Sequence, residues 1–453
     1  MTDPQQHDRT ATDGSPAFRL AAKHTPAVDG ELDATASAGS ALGALRVLLR
    51  SVHLAGPDDL PTLVTSAGAE LGAGSATLYL ADREQVLLVP LLASVAPTGG
   101  PVATAGSPLS VDGTLAGRAF QEVRQHTVEG VGEGLAQGSE RPAVLWTPVI
   151  NGTERLGVVQ LVFGGQVQVD EELAGAARDV ASLLAEMVVT RSLYGDAIAR
   201  ARRRQPMTLP AELQWTQLPP QTLVSPRAAV AGVLAPAHKV AGDSFDYAVN
   251  GDTLHVAIVD AMGHGLEAAL LSVVAIGALR NARRSGLPLA DTVRAMDVAV
   301  AEQFGPDRFV TGIVGELELA TGWWRWSTCG HPPALLVRGG RVVKTLDSVV
   351  GAPLGLELLA EHPQIGEERL QPGDRLLLYT DGVIEARDAA GEFFGTDRLV
   401  EFTTRQAADG RPVAETLRRL NAAVLAHQAG ALQDDATTVL IEWLTDEPTR
   451  SSP

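Results

Sequence analysis

The chain has 453 residues, which is enough for two or three domains. Hydrophobic residues make up 45% of it and charged residues 20%, proportions that are ordinary for a globular protein. Acidic residues outnumber basic ones by 54 to 36, for a formal net charge of −18. This balance argues against general binding to nucleic acids or anionic membranes, because both need clustered basic side chains.

The cysteine content and the apolar runs narrow the class of protein. A single cysteine, Cys329, excludes an internal disulfide framework and a cysteine-based zinc site. The polar segment 1–8 lacks the basic and apolar regions of a signal peptide. The longest apolar stretch, 266–279, contains Glu267 and is shorter than the roughly 20 residues that a membrane span needs. We therefore expect a soluble, cytoplasmic protein.

The N-terminal part of the chain changes character near residue 40. Residues 1–40 are rich in Ala, Thr, Ser, Asp and Gly, which predicts a disordered tail. Leucines then recur at helical spacing over 42–49, and again over 60–71 after a Gly-Pro-Asp-Asp break, so two helices are predicted. The strand-like apolar runs that follow are 76–80, 86–92, 143–150 and 156–163.

A hairpin and a helix are predicted to close this region. Asn151-Gly152 favours a tight turn between the last two strands. Asp170 is a good N-cap for a helix that starts with Glu171 and Glu172. The order of elements, together with the phrases Leu109-Ser-Val-Asp-Gly-Thr-Leu-Ala-Gly-Arg-Ala-Phe120 and Leu156-Gly-Val-Val-Gln-Leu161, resembles a GAF sensory domain over residues 41–190.

The closing helix carries a repeat with two interpretations. Its positions step by threes and fours, as in a coiled-coil seam, through Leu173, Ala177, Val180, Leu184, Met187, Arg191, Tyr194 and Ile198. The first half is expected to pack on its own sheet, whereas a homodimer seam and a signalling linker stay open for the extension past Arg191. The segment 206–210 begins and ends with proline and breaks the helix, so a helical linker is predicted over 191–211. The arginine cluster 200–204 is interpreted as a solvated helix end.

Aspartates adjoin predicted strand ends at four places in the rest of the chain. They are Asp243 and Asp246 beside Gly242, Asp260 after the buried run 253–259, Asp381 after the run 374–380, and the pair Asp434 and Asp435 before the run 436–441. One such aspartate is usually a turn or capping residue. Several carboxylates at one end of a sheet would become protonated unless a cation neutralised them. Oxygen ligands without His or Cys partners suit Mg²⁺ or Mn²⁺, so the pattern favours a divalent-metal site.

Five ordered motifs resemble the PPM-type protein serine/threonine phosphatases, and in particular their bacterial SpoIIE-like branch. They are Ala241-Gly-Asp-Ser-Phe-Asp246, Asp260-Ala-Met-Gly-His-Gly265, Gly330-His-Pro-Pro333, Tyr379-Thr-Asp-Gly-Val-Ile-Glu-Ala-Arg387 and Asp434-Asp-Ala-Thr437. The segment 213–220 looks like the opening of that domain. The resemblance spans 212–445 and leaves a tail over 446–453.

The family implies a fold of two packed antiparallel sheets flanked by helices. The sequence independently predicts two hairpins, one over 310–328 and one over 334–346, and sequential hairpins argue against a doubly wound parallel sheet. The predicted fold class is therefore α/β (α+β), with a C-terminal two-sheet antiparallel β-sandwich behind an N-terminal GAF-like α/β domain.

The resemblance also implies roles for the acidic residues. Asp260 would bridge two Mn²⁺ or Mg²⁺ ions, and the backbone carbonyl of Ala261 would add a ligand. Asp381 and Asp434 would complete the shell of one ion, and Asp243 would act on the second ion or through its waters. A hydroxide held by both ions would attack phosphorus in line, so no phosphoenzyme is needed. The possible secondary residues are Asp246, His264 and Asp435.

Other reactive side chains receive weaker roles. His264 stands four residues after Asp260. Its side chain has two possible roles, a general acid for the leaving group or a structural residue of the turn, and the turn role is preferred. His331 is expected to be structural, and Cys329 is not expected to act as a nucleophile. Lys239 and Arg387 are either phosphate contacts or surface charges. The motifs depart from many relatives at neighbouring positions, but no carboxylate is lost, so activity is expected.

The sequence thus predicts a two-domain bacterial signalling enzyme in which a GAF-like sensor controls a metal-dependent phosphoprotein phosphatase. The resemblance to the SpoIIE-like branch implies a phosphorylated STAS-type anti-anti-sigma factor as the substrate. One alternative is a catalytically silent docking protein with a phosphatase-like domain. Another is a protein that is chiefly a small-molecule sensor, although residues 41–190 contain no cysteine for a thioether-linked bilin.

Overall fold

The computed structural model describes residues 41–92, 106–129, 142–165, 167–235, 242–347, 350–358, 363–428 and 434–444. The two predicted tails and Lys239 lie outside these residues. None of the helices in the described residues is long and apolar enough to cross a membrane.

The N-terminal part contains one sheet with helices on both faces. Its helices are α1 (Ala41–Ser51), a 3₁₀ turn (Pro57–Asp59), α2 (Leu60–Glu70), α3 (Leu115–Glu122), α4 (Glu171–Arg191) and α5 (Ala197–Ala201). Its strands are β1 (Ser75–Ala81), β2 (Leu87–Pro90), β3 (Leu109–Ser110), β4 (His126–Glu129), β5 (Ala143–Asn151) and β6 (Glu154–Phe163). The sheet order is β3-β2-β1-β6-β5-β4, and each neighbouring pair is antiparallel. The predicted hairpin at Asn151-Gly152 is confirmed, because β5 and β6 pair across it.

The predicted seam on α4 is used inside the chain. Ala177, Val180, Leu184 and Met187 are buried in a core that α4 shares with α1, α2 and the sheet. Helix α4 ends at Arg191, and the separate helix α5 follows within the predicted linker. Tyr194 is exposed, whereas Ile198 is buried in the same core. The homodimer seam and the signalling linker stay predictions. The first half of α4 therefore packs on its own sheet, as predicted, because its apolar side chains already have partners in that core.

The C-terminal part is a two-layer sandwich of antiparallel sheets. Its strands are β7 (Thr222–Val224), β8 (Ala228–Ala235), β9 (Asp243–Asn250), β10 (Thr253–Ala261), β11 (Val310–Glu318), β12 (Trp323–Cys329), β13 (Leu335–Arg338), β14 (Arg341–Thr345), β15 (Gly366–Arg369), β16 (Arg375–Tyr379) and β17 (Ala436–Trp443). The five-stranded sheet has the order β15-β12-β11-β10-β9, and the six-stranded sheet has the order β14-β13-β16-β17-β8-β7. The predicted fold class and both predicted hairpins are confirmed for this part.

Helices cover the outer faces of both sheets. They are α7 (Leu266–Arg284), α8 (Leu289–Phe304), α9 (Asp381–Ile384), α10 (Gly395–Ala408) and α11 (Val413–His427). Helix α6 (Leu209–Gln217) lies elsewhere, and its Trp215 packs against the core between the two sheets. One apolar core lies between the two sheets, a second lies under α7 and α8, and a third lies under α9, α10 and α11. Side chains alternate along each strand, so every central strand contributes side chains to two of these cores.

A buried ion network joins the N-terminal part to the C-terminal part. Arg155 on β6 reaches Glu415 on α11 at 3.2 Å, and their side chains are only 5% and 4% exposed. Glu415 also accepts from Arg418 at 2.9 Å, and Arg418 pairs with Asp112 at 2.8 Å in the N-terminal part. Burial alone would raise the pKa of Glu415, but the hydrogen bond and charge of Arg418, with Arg419 and Arg155, lower it below its usual value. The two parts therefore meet through paired charges that are buried except at Asp112, whose side chain is 65% exposed.

Candidate active site

Strand alternation places two of the predicted acids between the sheets. Leu254, Val256 and Ile258 of β10 face the core between the sheets, and Asp260 continues this series. Asp243 lies directly opposite Asp260 in the register of β9 and β10 and shares that face. Both carboxylates consequently point toward the six-stranded sheet at one end of the sandwich.

The other acids reach the same place from the six-stranded sheet. Asp381 follows β16 and begins α9, whereas Asp434 and Asp435 immediately precede β17. These strands are neighbours in the sheet, so their ends lie side by side. A cavity of about 270 Å³ is lined by Gly242, Asp243, Asp260, Ala261, Met262, Gly263, Phe309, Thr311, Asp381, Asp434 and Asp435. The structure thus brings together all four aspartate sites that the sequence singles out.

Hydrogen bonds fix Asp243 across the two sheets. The hydroxyl of Thr380 donates to Asp243 Oδ2 at 2.7 Å and accepts from the backbone amide of Thr437 at 3.0 Å. The Thr380 amide in turn donates to the Thr437 carbonyl at 3.0 Å. Asp243 is only 2% exposed, so its carboxylate is held by partners rather than by bulk water.

The adjacent acids Asp434 and Asp435 have different surroundings. Asp435 is buried, and its Oδ2 accepts from the Gly242 amide at 3.0 Å and from Gln214 Nε2 at 2.6 Å. Its Oδ1 is buried and has no hydrogen-bond partner among the described residues. Asp434 is exposed, and its Oδ1 accepts from the Asp435 amide at 2.9 Å. Asp435 therefore anchors the loop, and Asp434 faces the cavity mouth.

The charges in this cavity are uncompensated. Burial, followed by the charges of Asp381 and Asp434, raises the pKa of Asp260 to about 7. Burial also raises the pKa of Asp435 to about 7, and burial with the charges of Asp260 and Asp435 raises the pKa of Asp243 well above its usual value. The described lining contains no lysine or arginine. A cation is the ordinary way to keep such a group of carboxylates ionised at neutral pH.

The donor set fits hydrated divalent cations. The described lining offers carboxylate, hydroxyl and backbone oxygens and contains no thiolate or imidazole, its one sulfur being the thioether of Met262. Oxygen ligands of this kind are the ones that Mg²⁺ and Mn²⁺ prefer. Within the described ranges, no three His, Cys, Asp or Glu side chains are grouped closely enough to hold one ion by themselves. Mg²⁺ usually binds through one or two carboxylates and keeps several waters, and the space of the cavity suits that mode.

Gly382 is required where α9 begins against the loop of Asp435. A Cβ at this position would lie 1.8 Å from the Asp435 carbonyl oxygen. Gly382→Ala is expected to lower the free energy of unfolding by about 1–3 kcal/mol, the usual cost of overpacking, as measured by urea denaturation. Gly277→Ala in α7 is the matched control, since no heavy atom lies within 4 Å of its Cβ position. The control is expected to be neutral or stabilising, and equal stability of the two variants would contradict the prediction.

Asp246 does not join the site. It stands three residues after Asp243 on β9, so its side chain emerges on the opposite face of the strand. There Oδ1 accepts from Arg280 at 2.7 Å and Oδ2 accepts from Arg283 at 2.7 Å, both on α7. Its carboxylate is neutralised in place, and it is not among the residues that line the cavity.

The remaining reactive side chains lie around the site or beneath it. His264 is exposed. Partial desolvation of the Asp434 carboxylate by the cavity walls raises the pKa of Asp434, and the nearby His264 reduces that rise. His331 is buried, which lowers its pKa to about 4, and its Nδ1 lies 2.9 Å from the hydroxyl of Thr311. Burial raises the pKa of Cys329 to about 12, so this thiol stays protonated. Arg387 is exposed and stacks on the Phe393 ring at 4.2 Å.

Three polar residues that the sequence did not predict as part of the site form hydrogen bonds that support the acids. They are Gln214, Thr380 and Thr437. Thr380 and Thr437 stand beside motif aspartates, and strand alternation was the available signal for their inward direction. Gln214 lies 221 residues from Asp435 along the chain, so no local pattern could connect the two.

Comparisons with known proteins agree with the C-terminal assignment. Residues 250–444 match the family model described as Stage II sporulation protein E (SpoIIE). This match confirms the family resemblance predicted for the C-terminal part, whereas the GAF-like resemblance stays a prediction.

Three known proteins are each similar to about half of this chain. Protein IcfG of Synechocystis is 24% identical over 52% of this chain and 39% of its own length. Phosphoserine phosphatase RsbU of Bacillus subtilis is 21% identical over 47% of this chain and 62% of its own length. The crystal structure of the RsbU and RsbW domains of Rv1364c from Mycobacterium tuberculosis is 28% identical, covers 49% of this chain and 63% of that chain, and has a TM-score of 0.42. The chain therefore spans less than two thirds of the length of each.

Proposed function

We propose that the protein is a divalent-metal-dependent phosphatase that hydrolyses phosphoserine or phosphothreonine on a protein. The observation that carries this proposal is the convergence of acids from both sheets on one cavity whose described lining has no basic side chain. The family match over 250–444 and the similarity to a phosphoserine phosphatase support the same activity.

The proposed ligands are the acids of the cavity and one backbone carbonyl. Asp243, Asp260, Asp381, Asp434 and the Ala261 carbonyl would hold the ions together with bound waters. Two divalent ions, when bound, lower the pKa of a shared water and neutralise phosphoryl oxygens. Asp435, whose Oδ2 is held by Gln214 and Gly242, would act as a support for the loop of Asp434.

The chain itself supplies orientation and access. Thr380 holds the Asp243 carboxylate in one direction, which lowers the entropy lost when a cation binds. Gly263 lines the cavity and has a φ of +89°, a backbone conformation that glycine adopts freely and that brings the chain close to a ligand. His264 is proposed as a turn residue rather than as a proton donor.

We further propose that the substrate is a phosphorylated STAS-type anti-anti-sigma factor and that the N-terminal part acts as a GAF-like sensor. The support for the substrate is the resemblance of the five motifs to the SpoIIE-like branch. The alternative, a silent docking protein, is disfavoured because such a protein has no need to keep every metal-binding aspartate, and this chain keeps all four.

The test is phosphate release from a phosphoserine STAS-domain protein by the full-length chain, with Mn²⁺ and after chelation. Turnover is expected with Mn²⁺, with a loss to background in the chelator and recovery when Mn²⁺ is returned. The same protein phosphorylated on tyrosine is the matched substrate control and is expected to be inert. Absence of release from both the STAS protein and a panel of phosphoserine peptides, with Mn²⁺ bound, would favour the docking alternative.

A further inference from the structure

One hydroxyl group lies among the acids of the site. Thr311 is the only residue in the described lining of the cavity whose side chain carries a hydrogen-bond donor when the acids are ionised. It stands directly opposite Asp260 in the register of β10 and β11, so the two side chains share one face of the sheet. The direction of this single O–H therefore decides whether the side chains of the lining offer a donor or only acceptors.

A buried histidine contacts that hydroxyl. The Nδ1 atom of His331 lies 2.9 Å from the hydroxyl oxygen of Thr311. The histidine is 6% exposed, and burial lowers its pKa to about 4. The ring is therefore neutral near neutral pH, and a neutral imidazole has one N–H and one acceptor nitrogen. Either the ring donates to the hydroxyl or the hydroxyl donates to the ring.

The backbone of Tyr379 favours the second arrangement. Its hydrogen bond with the His331 ring raises the pKa of the histidine against the larger effect of burial, as an acceptor beside an imidazole N–H does. This hydrogen bond is long or bent, because Nε2 has no partner of ordinary geometry among the described residues. A lone pair on Nε2 would still be repelled by the carbonyl oxygen, whereas an N–H is attracted. The proton therefore belongs on Nε2, and Nδ1 accepts from the Thr311 hydroxyl.

The backbone holds the imidazole and the hydroxyl in fixed positions. Gly330, which precedes His331, has a φ of +65°. A Cβ at this glycine would lie 2.7 Å from the Cγ atom of Pro353, so the close approach of the two segments requires glycine. Gly330 also forms a β-bridge with Gly312, the residue that follows Thr311. The ring and the hydroxyl thus belong to two adjoining backbone segments.

We infer that His331 is a positioning residue that turns the Thr311 proton away from the cavity, so that Thr311 presents an oxygen lone pair to the water shell of a bound divalent cation. The inference rests on the proposed function and deepens it, since it adds a neutral oxygen and its supporting ring to the acids of the site. It agrees with the chemistry of such a site, because Mg²⁺ usually keeps several waters and those waters donate hydrogen bonds. An inward O–H would instead place a positive hydrogen beside the cation.

The first test needs no metal. Nitrogen-15 NMR of the full-length protein, labelled in its histidine rings, shows which nitrogen of each ring is protonated. A neutral ring with its proton on Nε2 is expected for His331 near neutral pH, and His331→Asn identifies the signals by their loss. Thr311→Val removes the donor to Nδ1, so the Nδ1 signal is expected to move to higher frequency. A proton on Nδ1 would overturn the inference, because the Thr311 hydroxyl would then be free to donate into the cavity.

The second test is calorimetric titration of Mn²⁺ into the full-length protein without substrate. Thr311→Val and His331→Leu are each expected to raise the Mn²⁺ dissociation constant by about 10-fold, as loss of an outer-shell partner usually does. Thr311→Ser keeps the hydroxyl and His331→Asn keeps an acceptor, so both are expected to stay within about 3-fold. Thr328→Val is the matched control and is expected to leave binding unchanged. The Thr328 hydroxyl is buried, has no hydrogen-bond partner among the described residues and does not line the cavity.

A double variant separates positioning from a general structural effect. If His331 acts through Thr311, adding His331→Leu to Thr311→Val is expected to weaken Mn²⁺ binding no further. Additive losses from the two substitutions would overturn the positioning role. Should His331→Leu fail to fold, the protonation of the wild-type ring and the effect of Thr311→Val decide the inference.

The outcomes distinguish this inference from the proposed function. If the wild type binds Mn²⁺ and both Thr311→Val and His331→Leu bind it equally well, the inference is wrong and the proposed function stands. If the wild type binds no Mn²⁺, the proposed function fails and the inference fails with it.

Discussion

Replacement of Asp260 by asparagine is expected to reduce Mn²⁺-dependent phosphate release by more than about 100-fold, beyond the usual cost of losing an outer-shell residue. Asp260 lies opposite Asp243 in the strand register, and, after burial, the charges of Asp381 and Asp434 raise its pKa. Asp260 is therefore central to the cavity. An amide in its place keeps the shape of the side chain but removes the negative charge that would hold two cations. Phosphate release from the phosphoserine STAS-domain protein measures the effect.

Protein stability distinguishes this loss from misfolding. Asp260→Asn removes one of several repelling charges, so the metal-free variant is expected to unfold at a temperature equal to or above that of the wild type. Asp252→Asn, in the exposed turn before β10, is the matched control and is expected to keep full turnover. Near-normal turnover in Asp260→Asn would contradict the assignment of this residue to the metal centre.

Replacement of Glu415 by alanine is expected to lower the free energy of unfolding by about 3–5 kcal/mol, the usual cost of breaking a buried ion pair. Glu415 is the shared carboxylate for Arg155 and Arg418, whose side chains are 5% and 2% exposed. Its removal leaves Arg155 buried with no carboxylate partner among the described residues, and leaves Arg418 paired with the exposed Asp112. Urea denaturation of the full-length chain measures the loss, and the N-terminal and C-terminal parts are expected to unfold less cooperatively.

Glu401→Ala is the matched control for this experiment. Glu401 pairs with Arg405 on α10, but the two side chains are 73% and 63% exposed, so water screens the pair. Its replacement is expected to change the free energy of unfolding by about 0.5 kcal/mol or less. Similar losses for the two variants would mean that the buried network between the parts does not stabilise the fold.

Much of the secondary structure was predictable because its signals are local. The apolar run that ends at Asp260, the tight turn at Asn151-Gly152 and the N-cap at Asp170 each depend on a few neighbouring residues. The N-cap is confirmed in detail, since Asp170 Oδ1 accepts from the Leu173 amide at 2.9 Å. The repeat on α4 was ambiguous for the same reason, because heptad spacing suits a second chain and a core of the same chain equally well.

The acids near the site were predictable as a set. The sequence did not fully show which of them line the cavity, which support those residues and which lie outside the cavity. Asp243 and Asp246 belong to one motif, and their three-residue spacing on a strand sends them to opposite faces. Arg280 and Arg283 then neutralise Asp246 from a helix more than 30 residues away. Asp435 was expected to be secondary, and its contacts with Gln214 and Gly242 give that position a supporting role.

The sequence by itself determined which residues are acidic, which strands are apolar enough to be buried, and which turns join them, because each property depends on the residue and its near neighbours. Only the tertiary structure decided that Gly242 would meet Asp435, 193 residues later, and that Gln214 and Glu415 would link distant elements. Those contacts depend on how two sheets and their helices pack. Packing is a property of whole surfaces, so no short stretch of sequence carries it.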